Sequence, residues 1–88
     1  MYKIVLTNEF KKCAKRDKKR GLDVSLLDKM IRMLADGGEL PQKYRDHALT
    51  GEYKGYRECH IKPDWLLVYY IDDGSVVFCK TGSHADLF

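Results

Sequence analysis

The 88-residue chain has no apolar run approaching the roughly 20 residues that a membrane-spanning helix requires. The opening stretch Met1–Leu6 turns polar too soon for a secretory leader, so a cytoplasmic protein is expected. The three cysteines, Cys13, Cys59 and Cys79, form no C-x-x-C pair, and their odd number and wide spacing fit reduced, packed thiols better than a disulfide framework or a nucleophile. There is no glycine-rich phosphate loop, no H-E-x-x-H and no zinc-finger spacing, and no cofactor is expected. Repeats, low-complexity segments and linkers are missing too, so residues 1–88 are read as one domain. Apolar residues at 44% and charged residues at 33% argue against disorder.

Charge is unevenly spread. Between residues 11 and 20 stand Lys11, Lys12, Lys15, Arg16, Lys18, Lys19 and Arg20 against the single acid Asp17. That segment carries +6 within a chain of net +3, which leaves −3 for the rest. Such a patch attracts a polyanion such as ribosomal RNA, or an acidic protein segment; the alternative is a solvated helix face.

Periodicity sets the fold. Tyr2–Leu6 has strand propensity. Thr7 or Asn8 offers an N-cap, and Phe10, Cys13, Ala14 and Asp17 recur at helical spacing up to a stop at Gly21. Asp23 or Ser25 caps a second helix whose stripe is Leu26, Leu27, Met30, Ile31 and Leu34, ended by Gly37-Gly38. The short link makes the two helices an antiparallel pair. Residues 37–52 show no period and read as a long connection containing Asp46-His47. Three strands follow, near 53–60, 65–71 and 76–81, separated by a loop at 61–64 and a D-G hairpin turn at Asp73-Gly74. An α+β architecture results: an N-terminal strand, a helix pair and a three-stranded antiparallel meander. The helices cover one sheet face, and the first strand is expected to pair with a later one, with a parallel pairing open to it.

Register places the chemistry. With Asp73-Gly74 as the two-residue turn, Tyr69 faces Phe78 and Leu67 faces Lys80; with 61–64 as the loop, His60 faces Trp65. His60, Trp65, Leu67 and Lys80 are then expected on one uncovered sheet face. The tail Thr81–His84 leaves at the same end, which brings His47, His60 and His84 toward Asp64 and Lys80. A one-residue slip would reverse Lys80. Histidines, a carboxylate and cations are what metal-free RNA cleavage needs. A base takes the 2′-hydroxyl proton, an acid protonates the leaving oxygen, and a cation steadies the phosphate. Trp65, Tyr56 or Phe88 could stack on an unpaired base, although the core is the favoured place for Trp65. A metal site built from His47, His60, Asp64 and His84 is a weaker alternative.

Three segments together, Asp46-His47-Ala48-Leu49-Thr50-Gly51, Gly55–Trp65 and Thr81–Phe88, closely resemble the YafQ-type branch of the RelE/ParE toxin superfamily. The resemblance extends over nearly the whole chain. It implies a RelE-like fold and a type II toxin that cuts mRNA in the ribosomal A site without metal. The implied partners are a cognate antitoxin, the ribosome and mRNA, with no membrane; the toxin alone is expected to be a monomer. The family's active-site positions fall on His47, His60, Asp64, Trp65, Lys80, His84 and Phe88, with Tyr56 and Arg57 beside them as substrate-binding residues. Lys80 stands where relatives often carry arginine. His84 is the expected general acid, and Asp64 or His60 the base. Rival readings are a non-catalytic ParE-type toxin acting on DNA gyrase, whose members generally lack this histidine set, and an RNA-binding module without turnover.

Overall fold

The computed structural model describes residues 1–88. The elements run β1 (Lys3–Leu6), α1 (Asn8–Lys19), α2 (Val24–Ala35), β2 (His47–Ala48), β3 (Arg57–Lys62), β4 (Trp65–Asp72), β5 (Ser75–Gly82) and α3 (His84–Leu87). The strands form one sheet in the order β1-β5-β4-β3-β2, with β1 parallel to β5 and the other pairs antiparallel.

Local chemistry accounts for the helix boundaries. Thr7 Oγ1 accepts from the Phe10 N–H at 3.1 Å and donates to the Phe78 carbonyl at 3.0 Å, so one side chain both caps α1 and pins it to β5. Asp23 caps α2 through the Ser25 N–H at 3.0 Å. Between β4 and β5, Asp73 and Gly74 both take positive φ (44° and 81°), the geometry of a two-residue hairpin turn that matches strand twist.

Phe10 from α1 and Leu27, Met30, Ile31 and Leu34 from α2 pack against Cys59, Trp65, Leu67, Tyr69, Val76 and Phe78. This helix-covered face is the main core. A smaller cluster on the opposite face joins Leu66 and Val68 to Leu87 of α3. That face is therefore partly covered, at one end, by a helix the sequence pattern did not announce: four residues are too few to show a period.

The aperiodic connection also carries more structure than expected. It holds 3-10 turns at Gln42–Tyr44 and Gly51–Tyr53 with β2 between them, and β2 lays His47 opposite Glu58. Two residues are too short for alternation to register, so the meander gains a fourth strand and the sheet has five.

Register departs from simple counting at two bulges. β3 continues to Lys62, which pairs with Trp65, while His60 pairs with Leu66 and Ile61 is the extra residue. In β4–β5, Tyr69 faces Phe78 as expected, but Val68 rather than Leu67 faces Lys80, because Cys79 is inserted. The expected sharing of one face by His60, Trp65, Leu67 and Lys80 is therefore corrected. His60 and Lys80 lie on the face away from α1 and α2, and Trp65 and Leu67 lie beneath them.

Candidate functional site

Alternation along β3 sends Cys59 into the core and Glu58 and His60 to the opposite face. His47 enters from β2 beside Glu58. Its approach is fixed by Asp46, which accepts from Arg57 Nη2 at 3.1 Å and from the Tyr69 hydroxyl. Arg45 stands at φ 51°, a left-handed conformation uncommon outside glycine, and its carbonyl is turned onto His47 Nδ1 at 2.7 Å. His84 is the first residue of α3. Its backbone N–H and its Nδ1 both reach Asp64 Oδ1 at 3.1 Å.

The three imidazoles converge on a carboxylate. Glu58 Oε2 is 3.4 Å from His47 Nε2, and Glu58 Oε1 is 3.7 Å from His60 Nε2 and 4.0 Å from His84 Nε2. Ring centroids are 6.3 Å apart for His47–His60 and 5.8 Å for His60–His84. In each ring Nδ1 faces an oxygen acceptor: the Arg45 carbonyl, the Pro63 carbonyl at 3.3 Å, and Asp64. An acceptor at Nδ1 assigns the hydrogen to that nitrogen, so all three rings offer Nε2 for proton exchange toward Glu58. Glu58 is buried, and its Oε1 has no hydrogen-bond partner. Burying a carboxylate oxygen without a hydrogen-bond partner is destabilising.

Asp64 is largely exposed, and the backbone N–H and ring of His84 hold its carboxyl below the usual carboxylate range. A depressed carboxyl is a poor proton acceptor but a good anchor for an imidazole, holding Nδ1–H and leaving Nε2 as the working atom.

Beside the histidines, Phe88, Tyr53, Tyr56 and Tyr70 run edge to face, with centroid separations of 5.1 Å for Tyr53–Phe88 and 5.5 Å for Tyr56–Tyr70. Tyr53, Tyr56 and Tyr70 line a groove of about 380 Å³ with Lys80 on its wall. Lys80 Nζ lies 5.7 Å from the Tyr53 ring centre and 4.0 Å from Glu9 Oε1. Strand pairing places Lys80 two strands from Glu58, about 10 Å across the sheet.

Two expected substrate contacts lie elsewhere. Trp65 is 3% exposed, and its indole N–H donates to Asp17 Oδ2 at 3.2 Å and Thr81 Oγ1 at 3.0 Å, so it cannot stack on a base from solvent. Arg57 pairs with Tyr69 across the helix-side face and is committed to Asp46. In the basic helix, Lys11, Lys12, Lys15, Lys18 and Lys19 are exposed, whereas Arg16 and Arg20 are engaged with carboxylates. Glu58 and Tyr53 carried no role in the sequence reading. Glu58 could have been found there, since it stands two residues before His60 in a strand and so shares its face.

A family model described as the bacterial toxin of type II toxin–antitoxin systems, YafQ, matches residues 2–88. The mRNA interferase toxin YafQ of Escherichia coli K12 is 38% identical over 86 residues, 97% of this chain and 94% of that protein. The toxin in the E. coli DinJ-YafQ complex superposes with TM-score 0.92 at 37% identity, covering 100% and 99% of the two chains. A metal-bound toxin from Helicobacter pylori gives TM-score 0.93 at 42% identity with both chains fully covered. In the present chain no three His, Cys, Asp or Glu side chains form a group that could hold a metal ion. With the match spanning nearly every residue, the chain belongs to the YafQ family of type II toxin–antitoxin toxins.

Proposed function

We propose that this chain is the toxin of a type II pair and cuts mRNA on the ribosome by acid–base chemistry. The observation that carries the reading is the set of three imidazole Nε2 atoms gathered on one buried carboxylate, next to an aromatic groove on an accessible sheet face. The E. coli relative's name as an mRNA interferase and its complex with an antitoxin support it.

The Glu58–His60 pair takes the 2′-hydroxyl proton. The freed oxygen attacks phosphorus, and the bond to the 5′-oxygen breaks. His84 enters the step as the imidazolium, keeps its Nδ1–H on Asp64, and gives its Nε2 proton to that leaving oxygen, ending as the neutral ring. Asp64 thus orients the acid rather than serving as base, because its depressed carboxyl binds a proton weakly. His47 faces the charge growing on the phosphate. Tyr56, Tyr53 and Phe88 hold unpaired bases, and Lys80, set across the groove, grips a neighbouring phosphate. Lysine does this as a point charge, without arginine's bidentate fork. The lysines of α1 face ribosomal RNA or an acidic antitoxin segment. The toxin works as one domain, in the cytoplasm, as a monomer until the antitoxin binds. No helix is long and apolar enough to cross a membrane.

The test is cleavage of mRNA on translating ribosomes by wild type and His84→Ala, with growth arrest scored in parallel. Loss of cutting by a folded variant supports the reading. Full cutting by that variant removes the assigned acid, and no cutting by wild type removes the nuclease reading.

A further inference from the structure

A four-residue helix has almost no intrinsic stability, yet α3 must hold His84 still. Part of its support is local: Ser83 and Asp86 form a reciprocal capping box, and Leu87 packs on Leu66 and Val68. The rest comes from α1, on the far side of the sheet end. Arg20 Nη1 donates to Asp86 Oδ2 at 2.7 Å, and Arg16 Nη2 lies 3.5 Å from the same oxygen, which also accepts the Ser83 N–H at 2.9 Å. Arg16 Nη2 donates as well to the Thr81 carbonyl at 2.7 Å and sits 3.3 Å from Asp17. Gly82 makes the convergence possible. A Cβ there would stand 2.4 Å from Arg16 Nη2 and 2.9 Å from Asp86 Oδ2, at φ 153°. These contacts, led by the Arg20 hydrogen bond, hold the Asp86 carboxyl far below its ordinary range, so it stays an anion.

We infer that Arg20 and Arg16, acting through Asp86, are positioning residues that hold His84 on Asp64. The helix α1 is then a brace behind the active site as well as a basic surface. Part-exposed ion pairs add little to stability, so the brace acts on geometry. The inference rests on the reading of His84 as the proton donor. It sets Arg20 apart from its free neighbour Lys19, although both belong to the same run of cations.

The experiment compares Arg20→Met, Lys19→Met, Asp86→Ala and Asp86→Glu in cutting of mRNA on programmed ribosomes, with nitrogen NMR of the imidazoles in the free protein. Arg20 is half exposed, so its variant should fold. The expected result for Arg20→Met is a fall in kcat of about tenfold with KM nearly unchanged, as for loss of an outer partner that orients a ligand. Its His84 ring signals should move while those of His47 stay. Lys19→Met should raise KM instead. Asp86→Ala should lose kcat more deeply, and Asp86→Glu, which keeps both anion and capping box, should recover most of it. Unchanged kcat and unchanged His84 signals in Arg20→Met would overturn the brace; a rise in KM alone would return Arg20 to the RNA-facing surface. If wild type does not cut, the nuclease reading fails, and the His84 spectra alone still decide whether Arg20 holds that ring.

Discussion

The two faces of the sheet solve opposite problems. Toward α1 and α2, Trp65, Leu67, Tyr69 and Phe78 are buried, and the polar atoms of Trp65 and Tyr69 find partners in Asp17, Thr81 and Asp46. On the other face, a buried Glu58 has an oxygen without a partner, and three imidazoles surround it without close hydrogen bonds. One face maximises burial and satisfaction; the other tolerates a strained charge arrangement. The difference teaches that stability and chemistry are separated by strand alternation, with neighbours in one strand serving different ends. Cys59 lies in the core between Glu58 and His60, and burial pushes its thiol up, out of reach of nucleophilic chemistry.

Substitutions on each face should break this separation in different ways. Phe78→Ala, on the covered face, should lose about 3–5 kcal/mol of stability by chemical denaturation, enough to unfold much of a small domain. His84→Ala should cut the cleavage rate by about 10²–10⁴-fold while the melting temperature holds, which kinetics and calorimetry together would show. Glu58→Gln sharpens the contrast most: cutting should fall, yet stability should hold or rise, since one carboxylate oxygen has no hydrogen-bond partner to lose. A loss of stability instead would mean that the carboxylate is a structural anchor. Trp65→Phe should cost about 1 kcal/mol through the lost indole hydrogen bonds and leave cutting within a fewfold, since the ring does not touch the groove. The smallest effect is in acid. Asp64 and Asp86 have depressed folded pKa values, so their stabilising contribution is present above the unfolded value, about 4, and lost as pH falls through the folded one. Burial raises Asp17 against the pull of Arg16, so its contribution has the opposite sign and partly offsets that loss. Melting curves in Asp64→Asn and Asp17→Asn should show the two slopes changing in opposite directions.

Much of this was legible in the sequence because it is periodic. The caps at Thr7 and Asp23, the stripe through Leu27, Met30, Ile31 and Leu34, and the Asp73-Gly74 turn are local signals that tertiary structure left intact. The gathering of His47, His60 and His84 with Asp64 also followed, because strand ends and turns constrain where a short chain can go. What failed were features one or two residues long. The extra residues Ile61 and Cys79 leave no trace in propensity; plain counting past Ile61 puts Trp65 on the face of His60, whereas it lies on the other. β2 is too brief to alternate. A strand glutamate is ordinarily solvated, and only the packing around Glu58 reveals that it is buried. His60 and Lys80 do share a face, but through two bulges rather than the unbroken register that counting predicts.

The bulge at Cys79 gives the molecule an odd–even dependence. Beyond the hairpin, β5 alternates with Phe78 inward, and by plain alternation Lys80 would follow it under the helices. One inserted residue inverts that parity, so the cation emerges on the histidine side and the chain reaches Gly82 opposite Leu66. Drawing Cys79 into the ladder opposite Val68 would leave composition and charge unchanged. It would nonetheless turn Lys80 toward the helix-covered face and shift the approach of Gly82 and His84 by one residue. The active surface is thus specified by a count as much as by the identity of its side chains.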